Sequence, residues 1–142
     1  MLKNTEFIGK LRSSGLRPTK QRLKICEVLF NRDSTFHFTI NDLAKNISDQ
    51  LGEKISLATV YNTIHAFKNK GYLKEISINS DKSYFDTNTT NHHHFFDEDT
   101  NELIDCDEQV IQTPHIKKNI TGKKINSVEV LVKVATDNQN QK

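Results

Sequence analysis

Three hydroxyl residues each stand just before a segment whose apolar side chains have helical spacing. They are Thr19, Thr39 and Ser56. A Ser or Thr in this position can accept a hydrogen bond from the free backbone N–H groups of a helix's first turn. Apolar residues recur at intervals of three and four after Thr39 and after Ser56, as they do in an amphipathic helix. Each of the three hydroxyl residues is therefore predicted to cap a helix.

The ends of these helices are marked as well. A first short helix over about residues 4–13 should stop at Gly15, since glycine commonly ends helices. The helix after Thr19 should run through Phe30. The helix after Ser56 should close at Gly71, where glycine can adopt the left-handed conformation that follows many helices.

The helix after Ser56 divides into two faces. The predicted buried face is apolar and comprises Leu57, Val60, Ile64 and Phe67. The predicted exposed face carries Thr59, Tyr61, Asn62 and Thr63, with Lys68 and Lys70 at its far end. Hydroxyl, amide and amino groups of this kind can bond base edges and phosphates, and a Tyr ring can touch thymine methyl groups.

Two β-rich runs, residues 72–78 and 83–85, surround a polar turn at 79–82 and predict a hairpin. Helix, helix, helix and hairpin is the order of a winged helix. In that arrangement the helix after Ser56 would lie in the major groove of DNA. Helix-turn-helix geometry also occurs in protein–protein modules, so this pattern alone leaves both uses open.

Charge is divided between the two halves of the chain. Residues 1–82 carry 14 Lys or Arg against 8 Asp or Glu, a net charge of +6. Residues 83–142 carry 6 against 10, a net charge of −4. A basic first half favours contact with nucleic acid, although many small helical domains are mildly basic.

Three consecutive histidines, His92, His93 and His94, precede three carboxylates within residues 91–99. Imidazole suits borderline metals near neutral pH. Successive side chains of an extended segment point to opposite faces, so His92 and His94 could share a metal while His93 faces elsewhere. The alternative is a solvated polar loop whose histidines bind nothing.

Composition narrows the function classes. No segment approaches the roughly 20 apolar residues that span a bilayer, and the N-terminus lacks the apolar run of a signal peptide. Cys26 and Cys106 are far apart and form no CxxC pair, which predicts a reduced, cytoplasmic protein. A metalloenzyme is disfavoured because the sequence lacks an HExxH motif, a nucleophile elbow and a phosphate-binding glycine loop. A metal-storage protein would not need the basic helical half.

The last part of the chain predicts a small dimerisation domain. Apolar residues alternate with others between Ile125 and Val134, as in a half-buried strand. Residues 95–96 and 103–104 supply two shorter strands, and residues 108–118 could form one helix containing Pro114. So small a core favours pairing with a second copy of the chain.

The predicted fold class is thus α+β. A winged-helix DNA-binding domain over 1–86 precedes a small α/β dimerisation and sensing domain over 87–136, with a polar tail over 137–142.

Three ordered motifs resemble the ferric uptake regulator family: residues 15–22, residues 56–63 and the three histidines. The run from 82 to 96 and residues 103–105 are most similar to the alphaproteobacterial iron response regulator branch. The resemblance covers roughly residues 10–134. It implies a metal-responsive, dimeric winged-helix repressor that binds an AT-rich, pseudo-palindromic operator in double-stranded DNA.

The resemblance implies a set of site residues. One divalent ion per subunit, Fe, Mn or Zn, would be held by His37, Asp86, His92, His94 and Asp105. The DNA-contacting residues would be Arg17, Thr19, Lys20, Ser56, Ala58, Thr59, Tyr61 and Asn62.

This chain also departs from the wider family. Where many relatives hold a structural zinc with paired CxxC motifs, Asp97 and Thr100 take the first pair's places, and two cysteines cannot form a four-cysteine site. By the same resemblance, Gln112 and Val128 stand at the acidic and His positions of a second site, which predicts that His93 lacks partners. In the iron response regulator branch the triple histidine is associated with haem, so the resemblance implies a regulator of iron- or haem-responsive genes that is controlled by haem, bound at His92, His93 or His94, or by a divalent metal. The alternative is a repressor that senses Fe(II), Mn(II) or Zn(II) directly, without haem. A Cys-Pro haem motif is absent, because Glu27 follows Cys26 and Asp107 follows Cys106.

Overall fold

Four helices form the first part of the chain, and the last three of them start where the hydroxyl caps predict. In the computed structural model, which describes residues 4–107 and 109–138, Thr19 Oγ1 accepts a hydrogen bond from the backbone N–H of Arg22 at 3.2 Å. Thr39 and Ser56 cap their helices in the same way. The helices are α1 (Asn4–Ser13), α2 (Lys20–Phe30), α3 (Ile40–Leu51) and α4 (Leu57–Lys70). None of the described helices combines the length and apolar character needed to cross a bilayer.

Helix α4 ends at Gly71, as predicted. Gly71 has φ 87°, and its N–H bonds back to the Lys68 and Phe67 carbonyls. A side chain is strained in this left-handed conformation, whereas glycine adopts it freely. The glycine therefore stops α4 and turns the chain toward the hairpin.

The two faces of α4 differ from the prediction at two residues. Leu57 was expected to be buried, yet its side chain is 54% exposed, because it begins the helix at the edge of the apolar face. Thr63 was expected to be exposed and is fully buried. Its hydroxyl donates to the Thr59 carbonyl at 2.7 Å, which satisfies the buried polar group. Val60, Ile64 and Phe67 are buried as predicted.

A three-stranded sheet follows the helices in the order β1-β3-β2. Its strands are β1 (His37–Phe38), β2 (Lys74–Asn79) and β3 (Lys82–Asp86). The predicted hairpin is the antiparallel pair β2 and β3. Strand β1 pairs with the outer side of β3 and sets His37 opposite Asp86.

The core of this winged-helix unit is built from all four helices and the sheet. Phe67 of α4 packs against Phe30 and Tyr72, with ring centroids 5.7 and 5.9 Å apart. Helices and sheet each contribute fully or almost fully buried side chains, among them Phe7, Leu11, Ile25, Ile47, Ile64 and Phe85. This shared core fixes the exposed face of α4 to a rigid body.

A second compact unit begins at Thr90, and the first ends at Thr89. It contains β4 (His93–Asp97), β5 (Glu102–Cys106) and β6 (Leu131–Val134) in the order β5-β4-β6. Strands β4 and β5 are antiparallel, and β4 and β6 are parallel. The strands predicted at residues 95–96 and 103–104 are confirmed.

Two predictions for this unit are wrong. Residues 109–118 contain no helix; Pro114 lacks a backbone N–H and pushes Thr113 toward an extended conformation. The last strand starts at Leu131, where pairing with β4 begins, and not near Ile125, whose side chain is 47% exposed. Glu108 and residues 139–142 of the predicted polar tail lie outside the described residues.

Asp99, in the turn between β4 and β5, forms hydrogen bonds with the chain just after β6. Its Oδ2 accepts hydrogen bonds from the backbone N–H of Thr136 at 2.6 Å and from the Thr136 hydroxyl. These two bonds hold the pKa of the Asp99 carboxyl below its ordinary value, because they favour the charged form.

Asp99→Asn should therefore lower the melting temperature at neutral pH, where the wild-type carboxylate is ionised. A lowered folded-state pKa stabilises the fold above the unfolded pKa, and this contribution is lost as pH falls through the folded value. The difference between the two proteins should narrow below about pH 4, near the ordinary Asp pKa. Thermal denaturation across pH measures it, and a constant difference would argue against a charge-dependent contact.

Candidate metal ligands and nucleic-acid interface

His92, His94 and Asp105 meet on one face of the second sheet. The register of β4 and β5 sets His94 opposite Asp105. The Nε2 atoms of His92 and His94 each lie 3.1 Å from Asp105 Oδ1, and the two rings are 4.3 Å apart between centroids. The prediction that the two histidines share a face, with His93 on the other, is confirmed.

The hydrogen bonds of His92 fix which ring nitrogen carries a proton. Nδ1 lies 2.7 Å from the Thr90 carbonyl oxygen, and a carbonyl can only accept, so Nδ1 is the donor. In a neutral ring Nε2 then has a lone pair, which faces a carboxylate oxygen at 3.1 Å. A carbonyl that orients an imidazole in this way is common behind metal ligands.

A second histidine–carboxylate pair lies in the winged-helix unit. His37 Nε2 is 3.1 Å from Asp86 Oδ2, and Asp86 is fully buried. The other oxygen, Oδ1, accepts the backbone N–H of Asn88 at 2.8 Å. Lys74 stands opposite Asp86 in the sheet; burial lowers the pKa of Lys74, and the charge of Asp86 partly offsets this. A buried carboxylate requires compensating cations or hydrogen bonds. Asp86 has the His37 ring, the Asn88 N–H and the neighbouring Lys74 for this purpose.

His93 has partners, contrary to the prediction. Its ring is buried, Nδ1 accepts the backbone N–H of Val130 at 2.9 Å, and Nε2 lies 3.4 Å from the Thr113 hydroxyl. Both nitrogens are thus engaged within the second unit. The alternation of side chains along β4 does predict that the His93 ring faces away from His92 and His94. The partners of His93 come from distant parts of the sequence, so no local pattern predicts them.

The residues predicted to contact DNA fall into two groups in the winged-helix unit. Around the start of α2, Arg17 is exposed and Thr19 serves as the cap. Lys20 Nζ lies 3.9 Å from a Glu53 carboxylate oxygen with both side chains largely exposed, a pairing that contributes little. The positive charge of this corner is carried on side chains that reach solvent.

The second group lies at the start of α4. Ser56 and Thr59 are joined through their hydroxyl groups at 2.9 Å, while Ala58, Tyr61 and Asn62 are exposed. The Tyr61 ring packs on His65 with centroids 4.1 Å apart. The structure therefore brings small, aromatic and amide side chains to one exposed face, with Thr59 partly covered.

The far end of α4 is tied to the hairpin. Lys68 Nζ donates to Glu75 Oε1 of β2 at 2.5 Å. This hydrogen bond is the main reason that the pKa of Glu75 is lowered, with a further contribution from Ser83. The contact orients α4 relative to the hairpin of β2 and β3.

A winged helix followed by a small histidine-rich sheet, with a histidine–carboxylate cluster in each unit, defines an α+β class of two-unit proteins. The sequence profile of the ferric uptake regulator family matches residues 13–134. The chain belongs to this family.

Individual relatives agree with that assignment. A peroxide-responsive repressor of Staphylococcus epidermidis is 36% identical over 100 residues, which are 70% of this chain and 65% of the relative's length. The crystal structure of the Vibrio cholerae ferric uptake regulator matches with a TM-score of 0.69 and 25% identity, covering 91% of this chain and 98% of that one. A Pseudomonas aeruginosa ferric uptake regulator with manganese has the same fold, with a TM-score of 0.62, 23% identity and coverage of 96% and 98%.

Proposed function

We propose that this protein is a transcription regulator, not an enzyme, that represses genes by binding operator DNA when a divalent metal occupies it. The observation that carries the proposal is the meeting of three potential ligand atoms on one sheet face: the Nε2 atoms of His92 and His94 each lie 3.1 Å from Asp105 Oδ1. A divalent cation could take all three atoms as ligands, because imidazole with carboxylate suits Fe(II), Mn(II) or Zn(II). Binding to DNA would take place in the cytoplasm.

The proposed ion takes ligands from both units. His92, His94 and Asp105 would supply one part of its coordination, and His37 with Asp86 the other, as the family resemblance implies. Within each unit, every one of these histidine Nε2 atoms already lies 3.1 Å from an oxygen of the carboxylate in the same unit. An ion that holds both groups would restrict the angle between the winged helix and the sheet unit, so metal binding and DNA binding would be thermodynamically coupled.

The proposed assembly is a homodimer on a pseudo-palindromic, AT-rich operator. Its support in the second unit is a set of exposed aliphatic side chains, which a second copy could cover: Ile104, Val110, Ile116, Ile120 and Ile125. A two-fold dimer would present two α4 helices to two half-sites of one duplex.

Selection from a random duplex library tests the proposal directly. The purified protein should enrich a two-fold-related sequence in the presence of Mn(II), and chelation should weaken binding at least about tenfold, a coupling of about 1.4 kcal/mol. Fluorescence anisotropy on the enriched duplex measures the change. Equal affinity with and without metal would contradict metal control, and no enrichment at all would contradict DNA binding.

Haem is the alternative effector, through the finer resemblance to the iron response regulator branch. The engagement of both His93 nitrogens weighs against it, because iron would have to displace Val130 or Thr113. A haem titration separates the two effectors. Under the metal proposal, haem should leave operator affinity unchanged, whereas a histidine-ligated spectrum that is lost in His93→Ala and accompanied by DNA release would favour haem.

A response to peroxide is a second candidate, favoured by the 36% identity with peroxide-responsive repressors. Fe(II) held by His92, His94 and Asp105 would supply one electron to hydrogen peroxide, giving Fe(III), hydroxide and a hydroxyl radical, whereas Mn(II) would be a much poorer reductant. Peroxide should then release DNA from the iron-loaded protein and not from the manganese-loaded protein. Equal behaviour of the two forms in anisotropy would remove this candidate.

A further inference from the structure

The winged-helix unit exposes two large hydrophobic side chains among its described residues, and they are neighbours. Leu57 is 54% exposed and Tyr61 is 52% exposed. Residues four apart share one face of a helix, with their Cβ atoms about 5–6 Å apart. Two adjacent apolar groups on the outer face of α4 thus form an apolar edge, defined here as Leu57 and Tyr61.

The Tyr61 side of this edge is held in place from behind. His65, one turn further along α4, packs against the Tyr61 ring at 4.1 Å. His65 in turn meets Phe85 edge-on, with centroids 5.7 Å apart, and Phe85 is almost fully buried. The Tyr61 half of the edge is therefore backed by the core through His65.

The rest of the exposed face of α4 differs in chemistry. Asn62 follows Tyr61 and is exposed, as is Ala58. The Asn62 amide can donate one hydrogen bond and accept another in the same plane. This matches the acceptor and donor groups that adenine presents in the major groove. The apolar edge instead suits the thymine C5-methyl group, which is the apolar group that base pairs present in the major groove.

We infer that Leu57, on the apolar edge, contacts a thymine methyl group in the major groove and is a specificity-determining residue for the operator. The inference rests on the proposed DNA-binding function. An aliphatic side chain forms no hydrogen bond with a base, so Leu57 can favour thymine over cytosine only through this methyl group. With Asn62 beside it, α4 could recognise both members of an A·T pair.

The size of the effect follows from the burial of one methyl group. Removing about one CH₂ equivalent of buried apolar surface costs about 0.8 kcal/mol, or roughly fourfold in affinity. Leu57 is exposed and begins its helix, so its truncation should leave the fold intact. Leu57→Ala also introduces a good helix former.

Deoxyuridine provides the sharpest probe, because it lacks only the thymine methyl and keeps every hydrogen-bonding group. The full chain with Mn(II) is measured on its selected duplex, with each thymine replaced by deoxyuridine in turn. Wild type should lose about threefold to fivefold at one or more positions. Leu57→Ala should bind the thymine duplex more weakly and lose this discrimination at one of those positions. Leu57→Met should retain it, as should Asn69→Ala, which changes an exposed residue in the last turn of α4.

Four outcomes are distinguishable. Loss of discrimination in Leu57→Ala alone among these variants supports the inference. Wild-type binding that ignores every deoxyuridine overturns it and leaves DNA binding standing. Equal discrimination in wild type and Leu57→Ala overturns the assignment of Leu57. If no duplex is bound, the inference and the proposed function fail together.

Discussion

Replacing His92 and His94 together by alanine should abolish divalent metal binding while leaving a folded chain. Each of the two Nε2 atoms lies 3.1 Å from Asp105 Oδ1, so the double variant removes both imidazoles that contact this carboxylate. Calorimetric titration with Mn(II) should fall from about one ion per chain to none, since affinity for such ions depends on these neutral imidazoles. The fold should persist, because no four-cysteine zinc supports it.

His115→Ala is the matched control. His115 is an exposed histidine of the same unit, in a segment without helix or strand. Its variant should bind as much Mn(II) as wild type, and the melting curve of the double variant should remain cooperative. If the double variant kept the wild-type stoichiometry, the ion would lie elsewhere and metal control of DNA binding would need other ligands.

Local sequence patterns were sufficient for the helices because their caps are local. Thr19 and Ser56 bond to N–H groups three residues ahead, and Gly71 ends α4 through its own backbone conformation. Leu57 and Thr63 were misassigned because helical spacing gives the centre of an apolar face more reliably than its edges. Whether a residue at the border of the apolar face is buried depends on the side chains that pack against α4, and these come from other parts of the sequence.

The candidate ligands divide in the same way. Alternation along β4 was enough to group His92 with His94 and to turn His93 away from them. The partners of His93 were not predictable, because Val130 and Thr113 reach it from a segment without regular structure. The helix predicted over 108–118 is absent from its described residues 109–118 for a different, local reason: Pro114 lacks a backbone N–H and disfavours a helical Thr113.

Tyr61→Ala and Arg17→Ala should weaken DNA binding in different ways. Tyr61 projects from the exposed face of α4 and is backed by His65, so its loss should cost about 1–3 kcal/mol at the operator and little on unrelated duplexes. Arg17 is an exposed cation before α2. Its loss should weaken binding to all duplexes and lower the dependence of log Kd on log salt by about 1.

Anisotropy titrations on the selected operator and on a scrambled duplex, at several salt concentrations, separate the two effects. Lys118→Ala is a suitable control for Arg17→Ala, because Lys118 is an exposed cation of the second unit outside the proposed DNA interface. It should leave the salt dependence unchanged. A Tyr61→Ala variant that lost equal affinity on both duplexes would mean that Tyr61 contributes to the backbone contact and not to sequence recognition. If neither Tyr61→Ala nor Arg17→Ala changed affinity, α4 would not be the helix that enters the groove.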